Sequence, residues 1–432
     1  MNFMTRYLIT SLGLLSKQNF PDILGIDTFE GEKYHTGAWP AGVELKGKRV
    51  GIIGNGSTGV QVITAIAQDV KHLISFQRNP QYSVPSGQGP VSREYRDRIN
   101  AKYQQIWEDV KDNSAFGFGL DESNTPTLSV TPTEREQIFE KAWKKGGGFR
   151  FMFETFNDIA VDEAANDEAA NFIKRKIREK VQDPEKARKL IPTQLYARRP
   201  LCDAGYYEQF NRENVDIVSL NETPIETITS KGIRTSDGVE HELDVLIFAT
   251  GFDAVDGNYT RLAIQGAKGQ TLKDHWFHGP TSYLGISVAG FPNMFMILGP
   301  NGPFCNIPPA IESHVEVITS LIAEAEQQGL KEPSTLSPRH NSFSFTNEKR
   351  GDRLGGRVAV IETSLQAEED WTKICYDASA NSLFRRTDSW IFGSNIDGKV
   401  HAVMFYFGGL AEYRKHVRGI AADGWKGFVI RS

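Results

Sequence analysis

The sequence predicts an α/β fold, and two adjacent observations carry that reading. A short apolar run, Val50–Ile53, reads as a buried strand, and a second, Val60–Ile66, as the apolar part of a helix. Between them stand Gly54, Gly56 and Gly59, spaced GxGxxG. In a strand–turn–helix unit the first glycine permits the tight turn and the second lets backbone amides approach a pyrophosphate. The third lets the helix pack closely on its strand. The helix start, with Ser57 and Thr58 in its first turn, offers free N–H groups and the positive dipole end to phosphate. Glycine-rich turns also serve structural ends alone; the strand before and the helix after make this one a Rossmann-like dinucleotide site.

Composition sets the frame. The 432 residues can build two or three domains, and 39% hydrophobic with 24% charged content describes an ordinary globular chain. Mean hydropathy is −0.39, and no apolar run approaches the eighteen or so residues that span a membrane. Met1–Ser16 lacks the basic start and small-residue cleavage site of a signal peptide. Net charge −5 and pI ≈ 6.1 argue against nucleic acid as a partner. Cys202, Cys305 and Cys375 are odd in number and widely spaced, which excludes a disulfide framework or zinc site and suits the cytoplasm. The nine histidines form no metal-binding spacing.

The remaining elements follow in order. Arg6–Ser16 reads as a buried strand running into a loop. Lys71–Arg78 reads as the second strand of the dinucleotide unit; it ends in Arg78 with no adjacent acid, which selects NADP over NAD. From about Ser92 to Lys189 the chain reads as helical, with a capping box at Thr131-Pro132-Thr133-Glu134 and acids before bases over Asp162–Lys180. Within it, Gly146–Phe156 is rich in phenylalanine; Phe149 and Phe151 are candidates for the wall of an apolar substrate pocket, with core packing as the alternative. Next comes Y-A-R-R-P-L-C-D. Adjacent arginines, Arg198 and Arg199, are costly to place in an interior unless they face anions. Lys331–Val358 loses hydrophobic periodicity and reads as an irregular polar insertion.

One stretch has no generic physical explanation. Just before the glycine turn the chain reads F-E-G-E-K-Y-H-T-G-A-W-P, in which Phe29, Gly31, His35, Trp39 and Pro40 match the pattern FxGxxxHxxxWP. This resembles the fingerprint of type I Baeyer–Villiger monooxygenases, and the cyclohexanone monooxygenases most of all. The resemblance extends through the A-T-G triplet at 249–251, the turn Gly290–Glu312, and the segments Glu368–Phe384, Ser389–Lys399 and Phe405–Tyr413.

The resemblance implies a flavoprotein with two dinucleotide-binding domains, using FAD and NADP, that inserts one atom of O2 beside a ketone carbonyl to give an ester or lactone. It implies Arg199 as the catalytic residue, standing over the flavin, and Arg198 as a contact to the NADP 2′-phosphate, where the family often has lysine. Phe304, Cys305 and Ile307 would line the substrate pocket, Trp390 would belong to a loop that covers the cofactor, and Phe405 and Phe407 would lie near substrate. Cysteine at 305, where cyclohexanone-type members commonly carry a larger polar residue, points to altered substrate preference.

We therefore expect residues 1–40 to be a remnant of the FAD domain plus the fingerprint linker. Residues 41–245 form the NADP domain with a helical insertion over about 90–190, and 246–330 return to the FAD domain. The polar insertion spans 331–358, and 359–432 complete the FAD domain. The family's first glycine motif is not in the sequence, so the FAD site is expected to be incomplete and activity impaired. An N- or S-hydroxylating flavin monooxygenase and a non-catalytic NADP-binding remnant are the alternatives.

Overall fold

The computed structural model describes residues 3–331 and 359–431. Its centre is a five-stranded parallel sheet in the order Glu32–His35, Val245–Phe248, Arg49–Ile53, His72–Gln77, Val215–Ser219. Alternate residues supply two separate cores, as the period of two along a strand requires. Val50, Ile52, Val245 and Ile247 face Val60 and Ile63 of the helix Ser57–Ile66. Ile53, Leu246 and Phe248 face Phe29 and a three-stranded antiparallel sheet containing Ile228 and Ile233. A sheet covered on both faces needs apolar residues at every position, which explains the unbroken runs V-G-I-I and V-L-I-F.

Two boundaries differ from the sequence expectation. Val245–Phe248 pairs with Val50–Ile53 residue for residue in the middle of this sheet. The dinucleotide unit thus extends through Phe248, past the expected limit of 245. Glu32–His35 is the edge strand of the same sheet, in register with Val245–Phe248, so the middle of the fingerprint stretch belongs to the sheet while Thr36–Pro40 leave it. Its exposed face is polar: Lys48 bonds Glu32 Oε1 at 2.6 Å, and charge on an edge discourages unwanted pairing.

The helical insertion comprises Arg93–Ala101, Tyr103–Asp112, Pro132–Lys145, Gly148–Phe153, Glu163–Lys180 and Pro184–Leu190. The capping box at Thr131 and Glu134 forms, with Pro132 in the first turn. Asp162 caps its helix by accepting from the Ala165 N–H at 2.8 Å, while Arg178 and Lys180 sit in the last turn. Ala169, Phe172, Ile173 and Ile177 form its buried stripe.

The rest of the chain packs the helices Ile307–Lys331, Leu365–Ser379 and Leu410–Ala422 around Trp371, Tyr406 and Tyr413. The first strand, Leu8–Thr10, finds its parallel partner in Met294–Met296, and Gly302–Pro303 pairs with Phe405–Tyr406. The expected polar insertion lies outside the described residues, apart from Lys331, which ends the long helix. Among the described residues no helix is long and apolar enough to cross a membrane, and no group of side chains could hold a metal ion.

Candidate dinucleotide and substrate site

The glycine turn is built for close approach. Gly54 has φ +102°, and a Cβ there would lie 2.5 Å from the Ala249 carbonyl oxygen. At Gly59 a Cβ would lie 2.2 Å from the Gly54 carbonyl oxygen, so only glycine lets the helix sit on its strand. Gly56 differs: a Cβ would meet nothing within 4 Å. Its constraint comes from what occupies the open side, which is a cavity of about 1650 Å3 lined by Gly54, Gly56, Ser57 and Thr58.

Three arginines reach the same cavity. Arg78, Arg198 and Arg199 all line it, and among the described residues none has an ion-pair partner within 4 Å. Arg198 is partly buried and its Nε has no hydrogen-bond acceptor. Burial lowers its pKa, with Asp388 opposing and Arg78 adding to the shift. Guanidinium groups that share a cavity with a helix N-terminus and have no directly bonded carboxylate form a seat for an anion.

The arginines adjoin an aromatic end. Arg199 lies 5.7 Å from the centroid of Phe149, which stacks on Phe118 at 4.4 Å. Phe116, Phe304 and Phe405 complete this wall, with Cys305 and Ile307 at the start of the long helix. Burial pushes the Cys305 thiol up to about 12, so it packs as a neutral group. Trp390 lines the cavity and meets Phe405 edge to face at 6.0 Å.

Two expected pocket residues lie elsewhere. Phe151 is fully buried among Phe139, Trp143 and Phe172, because residues two apart on a helix point to different sides. Its neighbour Phe149 takes the cavity side. Phe407 does not line the cavity; it stacks on Phe304 at 4.9 Å and on Phe392 at 5.5 Å, supporting the wall from behind. The sequence patterns alone do not distinguish Phe116, Phe118 or Asp388 as cavity residues. The repeated F-G-F-G at 116–119 was the available signal for the first two.

The fingerprint residues do not line the cavity either. His35 Nδ1 accepts from the Gly37 N–H at 3.0 Å, which leaves Nε2 to donate to the Gly251 carbonyl at 3.1 Å. Phe29 is buried, and Gly31 is pressed against it so that a Cβ would lie 2.5 Å from the ring. Trp39 and Pro40 are exposed, with Trp39 tilted on Tyr34 at 5.6 Å. The motif braces the end of Val245–Phe248, from which Ala249–Phe252 run along the cavity.

No protein-family model matches the sequence. A phenazine N-monooxygenase of Lysobacter antibioticus is 49% identical over 430 residues, covering 100% of this chain and 74% of its own. The cyclohexanone 1,2-monooxygenase of Acinetobacter sp is 50% identical over 429 residues, covering 99% and 74%. The crystal structure of an NADP+-bound cyclohexanone monooxygenase from Rhodococcus sp. matches with TM-score 0.90 at 54% identity, over 99% of this chain and 75% of that one. The chain belongs to the Baeyer–Villiger monooxygenases. These are flavin-dependent oxidoreductases of the two-dinucleotide α/β fold that use FAD and NADP for ketone oxygenation. The residues of this Baeyer–Villiger chain fit NADP: an open glycine turn, a helix N-terminus and an arginine with a buried, unpartnered Nε share one cavity. Among the described residues one strand–glycine turn–helix unit, Arg49–Ile53 followed by Ser57–Ile66, offers such a seat.

Proposed function

We propose that the cavity takes NADPH along Gly54–Gly59, with the 2′-phosphate against Arg78 and Arg198, and presents a ketone at the aromatic end beside Arg199. One observation carries this reading: arginines without ion-pair partners and the open glycine turn share a cavity whose far end is aromatic. FAD, in this family, supplies the redox chemistry that activates O2. The part assigned to this chain's own residues is electrostatic. Arg199 is always cationic and can donate parallel hydrogen bonds, so it holds negative charge as it develops next to the ketone carbonyl. Phe116, Phe118, Phe149, Phe304 and Phe405 exclude water there, which strengthens that interaction and suppresses side reactions. The cofactor-covering role falls to Trp390. The free cysteines fit a cytoplasmic location.

The test is NADPH oxidation by the purified protein supplied with FAD, in the presence of a cyclic ketone or an aromatic N-heterocycle. Ketone-dependent turnover with lactone formation supports the proposal. Turnover with the heterocycle alone assigns the chain to N-oxygenation, and NADPH binding without flavin retention assigns it to the non-catalytic alternative.

A further inference from the structure

One wall of the cavity is formed by Asp388–Trp390 and Ser394–Asp397. This segment has little regular structure: a single 3-10 turn at Trp390–Phe392, followed by the left-handed glycines Gly393 and Gly398. Its middle is held by Ile391 and Phe392, fully buried in the core, and by the Ala402 N–H donating to the Phe392 carbonyl at 3.1 Å, so the stretches lining the cavity on either side depend on side-chain ties. At its leading end Thr387 Oγ1 donates to the Ala197 carbonyl at 2.9 Å, next to Arg198. At its trailing end stands Lys399, whose side chain is only 10% exposed. Its ammonium donates to Asp253 Oδ1 and Asp256 Oδ1, each at 2.5 Å, and to the Ala254 carbonyl at 3.1 Å. All three acceptors of the ammonium are thereby found on the chain leaving Val245–Phe248.

Neighbouring contacts point the same way. Asn395 Nδ2 donates to the Phe252 carbonyl at 2.9 Å. The Lys399 stem packs on Gly393, where a Cβ would lie 3.3 Å from Cε, so the segment folds back on its own anchor. Asp253 also accepts from Lys17 Nζ at 2.7 Å. Burial opposes ionisation of Asp253, yet the hydrogen bonds from Lys17 and Lys399 leave its pKa below the ordinary carboxylate value. Asp256 has no Lys17, and burial raises its pKa in spite of Lys399. A buried ammonium satisfied by two carboxylates and a carbonyl fixes geometry more than it adds stability, because desolvation offsets much of the attraction.

We propose that Lys399 is a positioning residue for NADPH: clamped between Asp253 and Asp256, it holds the Asp388–Asp397 wall, and Trp390 with it, over the dinucleotide cavity. The proposal rests on the reading of that cavity as the NADPH site. The wall spans from the arginine pair to the end of the strand beside the glycine turn, so a bound dinucleotide would lie beneath it. Fixing such a wall in advance lowers the ordering cost of binding.

The test compares Lys399→Met, Lys399→Arg and Lys17→Met with wild type by fluorescence titration of NADPH, by hydrogen exchange of the 388–397 peptide, and by thermal unfolding. Lys399→Met is expected to weaken NADPH binding about tenfold and to speed exchange of the wall. Lys399→Arg should retain most of the affinity, and Lys17→Met should leave the wall protected. Wild-type exchange and affinity in Lys399→Met would overturn the proposal, as would equal losses in Lys17→Met. Should Lys399→Met fail to fold, Asp256→Asn removes one jaw of the same clamp and is read identically. Absence of NADPH binding by the wild type sinks the dinucleotide reading, while the exchange data still decide whether Lys399 holds the wall.

Discussion

His35 and Gly251 are tied across 216 residues of chain by a single hydrogen bond, the imidazole Nε2 donating to the carbonyl at 3.1 Å. His35 Nδ1 is occupied by the Gly37 N–H, so the tautomer is fixed and the ring cannot pivot. Gly251 and its neighbours Thr250 and Phe252 line the cavity. His35→Ala should cost roughly 1–3 kcal/mol of stability through two lost partners and also weaken NADPH binding. Urea unfolding and NADPH titration of the same variant check both effects. Stability loss with unchanged affinity would show that the brace does not reach the site.

Gly56 and Gly59 should respond oppositely to alanine. Gly59→Ala forces a methyl group against the Gly54 carbonyl and should destabilise the fold by roughly 1–3 kcal/mol. Gly56→Ala meets open space and loses only a glycine helix cap, so it should cost about 0.5–1 kcal/mol while weakening NADPH affinity. Paired thermal melts and titrations read the difference.

Phe149 and Phe151 separate in the same way. Phe151→Ala removes a fully buried ring and should cost about 3–5 kcal/mol. Phe149→Ala, on the cavity wall beside Arg199, should cost only about 0.5–1.5 kcal/mol for its lost ring stacking and shift the preference among ketones toward bulkier rings. The relative kcat/KM for a five- and an eight-membered cyclic ketone measures that shift.

His314 carries a pH signature. It is fully buried, its Nδ1 accepts from the Leu298 N–H at 3.0 Å, and burial lowers its pKa to about 3. The folded protein therefore holds the ring neutral, whereas the unfolded chain protonates it near its ordinary value of 6.5. Between those values the unfolded state binds the extra proton. Stability from this residue is complete above pH 6.5 and falls by about 1.4 kcal/mol per unit as pH drops toward 3. Denaturant midpoints from pH 7 to 4 should show this slope reduced in His314→Gln.

Arg198→Ala should not weaken the fold, because its Nε lacks an acceptor and burial disfavours its charge. It should reduce discrimination between NADPH and NADH, read as the ratio of their dissociation constants. Preserved discrimination would move the 2′-phosphate away from Arg198.

The sequence by itself determined the dinucleotide turn, the choice of NADP and the family. Those depend on short windows: three glycines within six residues, Arg78 at a strand end, and the fingerprint, each with its chemistry in adjacent positions. Only the tertiary structure decided what the fingerprint does, since the carbonyl held by His35 lies 216 residues away. It likewise separated Phe149 from Phe151, which requires the phase of the helix against its core, and brought Phe116 and Phe118 to the pocket. Lys399 shows the limit most plainly. A lone lysine after a glycine reads as a surface charge until the fold sets Asp253 and Asp256 on either side of it. Local patterns record what the backbone must do, whereas a buried charge acquires its role from partners that only chain packing supplies.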